Sequence, residues 1–331
     1  MDKKLFDDLK KNVEPIKQLA MHNDADGISS AVLMSFIFDI KQVWCPDDFG
    51  VWSTKPTRDA AGEVLMPPDA AVDMIPQDPN WIGKIVVDHH PGHLPELGRK
   101  YHLIHGDIPT SGLVWRVFKE QLPKEQWWKA AVGLVGDGQP ELIPGELFLT
   151  EPSLLDKYIT GYKKFGYYKL EIRKMPMYLK LSAPLNAAAK IPGKWQLAYT
   201  ALRNAQKPMD ILEDPSLDAA KQFVKQESDR VLKGSHAIEM SNGIRLWSIK
   251  TPLTLERTLA FESEQMDMTT TIVLNEHTGR GSVRGALSDI VCGHLRKHGF
   301  KASGHPGFAG MRLDGKTYAD LCKALRELRI A

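Results

Sequence analysis

The sequence predicts an α/β protein: a doubly wound, mostly parallel sheet, then a helical connecting region, then a smaller α/β domain. Three observations predict it. Four apolar segments (Gln18 to Met21, Ala70 to Val72, Lys84 to Val87 and Val132 to Val135) each run into an acidic residue. Strand-like segments alternate with helix-like ones to about residue 150, the signature of a parallel sheet. From Ile244 closely spaced strand patterns return. The expected divisions are 1–150, 151–241 and 242–331.

In order, Met1 to Val13 reads as a short polar helix and Ile16 to His22 as the first strand. Ile28 to Ile40 is apolar all round, as a helix packed between a sheet and its neighbours would be. Lys41 to Cys45, Ala70 to Met74, Lys84 to Val87 and His102 to His105 read as further strands, with Asp47 to Pro68 a loop. Thr110 or Ser111 can cap a helix reaching about Gln121, and Lys124 to Gly136 is another. Residues 151–241 show helical periodicity interrupted by prolines, no clear strand, and a long helix from Pro215 to His236. Within them Tyr162 to Lys169 interleaves cations with aromatic rings, a pattern that can hold single strands, although aromatic stripes more often belong to a core. Ile244 to Ile249, Thr269 to Leu274, Ser282 to Ala286 and Phe308 to Leu313 read as strands. Asp289 to Lys297 and Tyr318 to Leu328 read as helices.

Composition excludes more than it selects. With 331 residues, 43% hydrophobic and 25% charged, the chain is ordinary for a globular protein. A net charge of +2 does not mark a nucleic-acid binder. Cys45, Cys292 and Cys322 are far apart, which argues against a disulfide framework or a thiolate zinc site. The first residues lack the apolar run of a signal peptide, and no stretch approaches the roughly 18 apolar residues of a membrane span. A cytoplasmic protein is expected.

The chemistry concentrates where apolar segments end. His22, Asp24 and Asp26 alternate, so an extended main chain would point them to one side. Asp24 or Asp26 alone would read as a helix N-cap, and Asp137 before Gly138 as a turn residue. With Asp73 and Asp137 added, four carboxylates converge. Charges that close must protonate or take up cations. Carboxylates with imidazoles and no thiolate suit Mn²⁺ or Mg²⁺, with Co²⁺ or Zn²⁺ as substitutes. So many ligands imply two ions roughly 3.5–4 Å apart, activating a water. In the last third, glycines flank His305 in Ser303 to Gly310, letting a ligand approach the backbone. Arg284 shares a strand face with Ser282 and could fork onto a phosphate.

The stretches HNDADG (His22 to Gly27), AVD (Ala71 to Asp73), VVDHHPG (Val86 to Gly92) and GLVGDG (Gly133 to Gly138) resemble the four motifs of the DHH phosphoesterase superfamily. SGHPGFAG (Ser303 to Gly310) resembles the GGGHPxAAG motif of its associated C-terminal domain. The resemblance covers about residues 16–140 and 269–330 and is nearest to RecJ-like nucleases and nanoRNases. It implies metal ligation by His22, Asp24, Asp26, Asp73, His89 and Asp137. Asp88 would support the site, and His90 would face the scissile phosphate. Arg284, Gly304 and His305 would hold substrate from the smaller C-terminal α/β domain, across a cleft from the first. It further implies a hydrolase of the exonuclease or phosphodiesterase type using two divalent ions, Mn²⁺ first, with Mg²⁺ or Co²⁺ alternatives. The expected partner is single-stranded nucleic acid or an oligonucleotide, with a second copy as a homodimer optional and no membrane. A phosphatase for a 3′,5′-bisphosphate nucleotide, a cyclic dinucleotide phosphodiesterase and a non-catalytic nucleic-acid-binding subunit are the alternatives.

Overall fold

A computed structural model describes residues 16–45, 57–58, 64–65, 67–76, 81–90, 100–161, 172–235, 237–239, 243–267, 269–305 and 307–329. The chain divides into two compact units, the first of residues 1–189 and 193–221, the second of 190–192 and 222–331.

The first unit is built on a five-stranded sheet in the order β2-β1-β5-β6-β7. These strands are β1 (Gln18–Met21), β2 (Gln42–Trp44), β5 (Ala70–Val72), β6 (Ile85–Asp88) and β7 (His102–His105). All four pairings are parallel. Two short strands, β3 (Thr57–Arg58) and β4 (Val64–Leu65), pair separately. Short runs such as Ala70-Ala71-Val72 are wholly buried, as strands covered on both faces must be. Ala20, Ala71 and Val86 pack with Trp44 and Trp81. The alternate residues Leu19, Met21, Val72 and Val87 are buried too, and alternation puts them on the opposite face.

Helices α1 (Ala25–Ile37), α2 (Thr110–Phe118) and α3 (Trp128–Gly136) pack on one another, α1 also on β1 and β5, and α2 on β6. Short helix α4 (Gly145–Thr150) follows. Contrary to the all-helical reading of 151–241, Lys157–Gly161 (β8) and Ile172–Pro176 (β9) form an antiparallel pair. Pro176 closes β9, and the pairing is non-local, so no local period betrays it. Helices α5 (Ser182–Ala189), α6 (Trp195–Asn204) and α7 (Met209–Leu212) complete the unit. The described residues of 151–189 and 193–221 thus belong to the first unit, their helices packing on α1 and α3, and the division falls inside the long helix α8 (Pro215–Gly234). The expected N-terminal helix Met1 to Val13 and the tract Tyr162 to Lys169 lie outside the described residues.

The second unit has a six-stranded sheet in the order β10-β11-β12-β13-β15-β14. The strands are β10 (Ala237–Glu239), β11 (Arg245–Ile249), β12 (Thr271–Asn275), β13 (Arg280–Gly285), β14 (Lys301–His305) and β15 (Gly307–Arg312). Only β11 and β12 pair in parallel. Helices α9 (Glu256–Asp267), α10 (Ser288–Lys297) and α11 (Tyr318–Glu327) complete it. One face carries the core: Leu246, Ile272, Val283, Ala309 and Met311 pack with Val291 and Leu295 of α10 and Leu321 and Leu325 of α11. The glycine-rich stretch around His305 forms the hairpin β14–β15, of which the sequence predicts the second strand, as Phe308 to Leu313, but not the first. Its glycines hide the strand pattern because strand signals rest on side chains that glycine lacks.

Among the described residues no helix is long and apolar enough to cross a membrane.

Candidate metal centre

The site is assembled beyond the carboxyl ends of β1, β5 and β6, where open parallel sheets leave room for ligands. β1 ends at Met21, so His22 and Asp24 occupy the turn into α1. Asp24 is indeed an N-cap: its Oδ1 accepts the N–H groups of Asp26 and Gly27, each at 3.1 Å. Its Oδ2 is left for the site and lies 2.9 Å from His22 Nδ1. One Asp24 oxygen thus caps α1 while the other faces the His22 imidazole.

Asp73 follows β5 and stands at the centre. Its φ of +58° is unusual for a residue with a side chain, and its N–H is held by Val87 O at 2.9 Å. From there one carboxylate, 2% exposed, meets three imidazoles. Oδ2 lies 3.4 Å from His22 Nδ1, and Oδ1 lies 3.3 Å from His89 Nε2 and 3.8 Å from His90 Nδ1. His89 Nε2 is also 3.5 Å from Asp137 Oδ2, at the end of α3. Asp88 is wholly buried, and its Oδ1 lies 2.8 Å from His90 Nδ1. A carboxylate can only accept, so Nδ1 carries the proton and Nε2 is the face His90 offers outward.

Asp26 is brought to the cluster but is already engaged. It is 1% exposed, and its two oxygens accept the N–H groups of Thr110 (2.7 Å) and Ser111 (2.9 Å). This corrects the expectation that Thr110 or Ser111 caps α2. The helix begins after Pro109 without a side-chain cap, and its first free N–H groups are taken by a carboxylate 84 residues earlier. That placement sets a negative charge at the positive end of the helix dipole. The hydroxyls serve elsewhere: Thr110 Oγ1 donates to Asp73 Oδ1 at 3.1 Å, and Ser111 Oγ to Ala130 O at 3.2 Å. Thr110 and Ser111 are residues around the cluster that motif reading passed over, and Gly133 entered it only as the first letter of GLVGDG. A Cβ on Gly133 would overlap Ser111 Oγ and Asp26 Oδ1, so α3 can lie against this pair only where it has no side chain. Asn186 of α5 adds a further tie, its Oδ1 accepting the Ala25 N–H at 2.8 Å.

The charges of the cluster act strongly on one another. Burial, and next the charges of Asp73 and Asp137, push the Asp26 carboxyl well above the usual range, with Ser111 pulling the other way. Burial opposes charge on His22, yet Asp24 and Asp73 outweigh it and raise its pKa well above the ordinary value. At His89 burial is likewise outweighed, by Asp73 first and then Asp26 and Asp137, and the pKa rises to about 9. His90 is raised in the same way by Asp88 and Asp73 against burial. Protons held this tightly are what a cation would displace. Geometry agrees: His22 Nδ1 and His89 Nε2 are buried without a hydrogen-bond partner, although each faces two carboxylate oxygens at 2.9–3.5 Å. Two donor groups that could hold an ion share Asp73: His22 with Asp24, and His89 with His90. Oxygen and imidazole donors without thiolate suit a hard or borderline divalent ion.

The residues expected to hold substrate lie in the second unit. Arg284 is 5% exposed, and its Nη1 donates to Val283 O (2.8 Å) and Ala309 O (3.1 Å). Burial, helped by nearby Arg257 and opposed by Glu264, lowers its pKa to about 10. Gly304 and His305 sit at the end of β14, with His305 opposite Phe308. The imidazole of His305 is outside the described side chains.

No family model and no curated protein matches the sequence. Solved structures do. RecJ from Thermus thermophilus, in complex with Mn²⁺, superposes with a TM-score of 0.61 at 14% identity over 98% of this chain and 53% of its own. The chain thus spans about half the length of that RecJ. The DHH domain of PF0399, a member of the s1p family of ribosomal proteins, gives 0.58 at 12% identity, covering 99% of this chain and 93% of that one. CDC45 from Entamoeba histolytica gives 0.57 at 11%, covering 98% of each. With its parallel sheet, its acidic strand ends and the Asp88-His89-His90 turn, the chain has the fold of the DHH phosphoesterase superfamily.

Proposed function

We propose that the chain is a metal-dependent phosphodiesterase that hydrolyses single-stranded nucleic acid or short oligonucleotides. The observation that carries this reading is the sharing of buried Asp73 between two donor groups, His22 with Asp24 and His89 with His90. RecJ, whose structures hold Mn²⁺ or Mg²⁺, supports the reading through its fold. His22, Asp24, Asp73, His89 and Asp137 would hold two divalent ions, with Asp26 behind them as a charge fixed by the α2 N-terminus. Mn²⁺ is the ion we assign first, with Mg²⁺ and Co²⁺ as substitutes. Such ions, when bound, lower the pKa of water and neutralise charge on phosphoryl oxygens.

The chain's own groups do the rest. Asp88 fixes the His90 ring through Nδ1, so Nε2 is presented to a phosphate oxygen as a hydrogen-bond donor while the imidazole stays protonated. His105 Nε2 reaches His90 O at 3.0 Å and braces the same turn. Thr110 restrains Asp73 against rotation. Arg284, Gly304 and His305 are assigned to substrate.

The test is a labelled series from dinucleotide to long single strand, assayed with Mn²⁺ and after chelation. Turnover that requires the ion and falls on a phosphodiester bond is expected. Binding of strands with no product over hours would overturn it. Release of phosphate from a 3′,5′-bisphosphate nucleotide alone would reassign the chain as a phosphatase.

A further inference from the structure

Residues 151–241 carry none of the motifs, yet helix α5 within them holds the first turn of the metal centre in place. His22 and Asp24 face the cluster, whereas Asn23 between them reaches α5: its Nδ2 donates to Ala189 O at 2.9 Å. Ala189 is the last residue of α5, and carbonyls of a final helical turn have no partner within the helix. About one turn earlier, Asn186 returns the bond, its Oδ1 accepting the Ala25 N–H at 2.8 Å.

That second bond falls where the N-cap does not serve. Asp24 Oδ1 takes the N–H groups of Asp26 and Gly27, the second and third of α1, as a capping side chain ordinarily does. The first N–H of the helix belongs to Ala25, which is wholly buried, so its partner must come from the protein. Asn186 supplies it. With these three donors satisfied, Asp24 Oδ2 keeps its place 2.9 Å from His22 Nδ1. The fit around the turn is close: a Cβ on Gly136, at the end of α3, would lie 2.6 Å from the Ala25 Cβ and 3.5 Å from the Ser182 Cβ at the start of α5. The other donor group is supported from elsewhere, His90 by Asp88 and by His105. The two groups that share Asp73 thus rest on different parts of the chain.

We propose that Asn186 and Asn23 are positioning residues that serve one of two ions at the centre, the ion held by His22 and Asp24 with Asp73. This rests on the two-ion reading above and deepens it, because the two sites then depend on different supports and can be weakened one at a time. An ion between His22 and Asp24 needs these donors fixed relative to each other across Asn23, and the bonds to α5 fix that turn from behind. Without Asn186 the buried Ala25 N–H has lost its acceptor, and an unpaired buried donor drives the turn that carries both ligands to rearrange.

The experiment counts Mn²⁺ bound to the full chain, without substrate, by loss of the free-ion paramagnetic resonance signal, beside a thermal melt in EDTA. Wild type should take up two ions. In Asn186→Ala and in Asn23→Ala one of them should bind about tenfold more weakly, the low end for loss of a partner behind a ligand, and the other should keep its affinity. Asn186→Asp retains an acceptor oxygen and should hold both ions nearly as wild type does. A merely structural role would lower the melt and weaken both ions together. Wild-type affinity for both ions in the alanine variants, equal weakening of both, or Asn186→Asp behaving as Asn186→Ala would overturn the assignment and leave the metal-dependent reading standing. Should Asn186→Ala fail to fold, Asn23→Ala, at a partly exposed side chain, decides alone. A wild-type chain that binds one Mn²⁺ or none would remove both.

Discussion

In the first unit the ionisable groups stand beyond the ends of parallel strands, Asp73 after β5 and Asp88 to His90 at the end of β6. In the second they lie across an antiparallel sheet, Arg280, Arg312 and Lys301 in one row and Arg284 further along. The difference is one of burial. Strand ends under a helical layer can hold several charges out of water, and there each charge answers to the others: Asp26, His22, His89 and His90 are all displaced from their ordinary pKa values. On the second sheet burial is graded along the face instead: Lys301 is exposed, Arg280 and Arg312 are half-buried, and Arg284 is 5% exposed, its pKa lowered to about 10 chiefly by burial.

The largest expected effect lies at the shared carboxylate. Asp73→Asn should lower metal-dependent turnover by roughly 10³-fold or more, since removing a transition-state electrostatic contact costs on that order. The fold should survive, because asparagine tolerates the left-handed conformation at φ +58°. Turnover and a thermal melt on the same sample check both halves, and wild-type turnover would exclude the assigned centre.

Next comes packing, where the units should again differ. Gly133→Ala would drive a methyl into Ser111 and the Asp26 carboxylate, at a cost of about 1–3 kcal/mol in denaturant unfolding. Gly281→Ala on β13 would meet Met311 Cγ at 2.7 Å and Sδ at 3.2 Å. That side chain is flexible and can turn aside, so the cost should be smaller. Equal losses would mean that the acidic centre is no more tightly built than the sheet.

Thr110→Val deletes the hydroxyl donated to Asp73 Oδ1 and keeps the shape. Calorimetric titration with Mn²⁺ should show affinity about tenfold weaker, the low end for loss of a partner behind a ligand. Thr110→Ser should restore it. An unchanged titration would make the bond incidental.

The smallest effect concerns a buried cation in each unit. Lys129 on α3 donates to Arg203 O at 3.0 Å, near the end of α6, as Arg284 donates to carbonyls of its own sheet. Burial first, and Arg203 next, lower the Lys129 pKa to about 7, against a pull from Asp210. A lysine whose folded pKa is depressed destabilises the fold in full below that value. The penalty is relieved as pH rises from about 7 toward the unfolded value near 10.4. Wild type should therefore gain several °C on Lys129→Met between about pH 7 and about pH 9.5. Parallel melting curves for the two proteins would mean that Lys129 keeps its proton.

Much of the first unit was legible because its signals are local. Strands β5 and β6 are short apolar runs that meet Asp73 and Asp88, β1 is one that runs into His22-Asn23-Asp24, and these and His102–His105 could be placed within a residue or two. Strand β15 was legible as Phe308 to Leu313, whereas its glycine-rich partner β14 and the pair β8–β9 escaped because their pairing, not their side-chain pattern, makes them strands. Thr110 was legible as a helix start but not as a partner of Asp73. Gly133 was one letter of a motif with no stated reason.

By itself the sequence determined the parallel sheet and the identity of the acids and histidines at its strand ends, since hydrophobic period and the residue that breaks it are properties of neighbours along the chain. Only the tertiary structure decided that Asp26 caps a helix 84 residues away, that Asp73 is shared among three imidazoles, and that three cations stand abreast on the second sheet. Those facts depend on register and on approach between distant segments, which burial and hydrogen bonding settle when the chain folds.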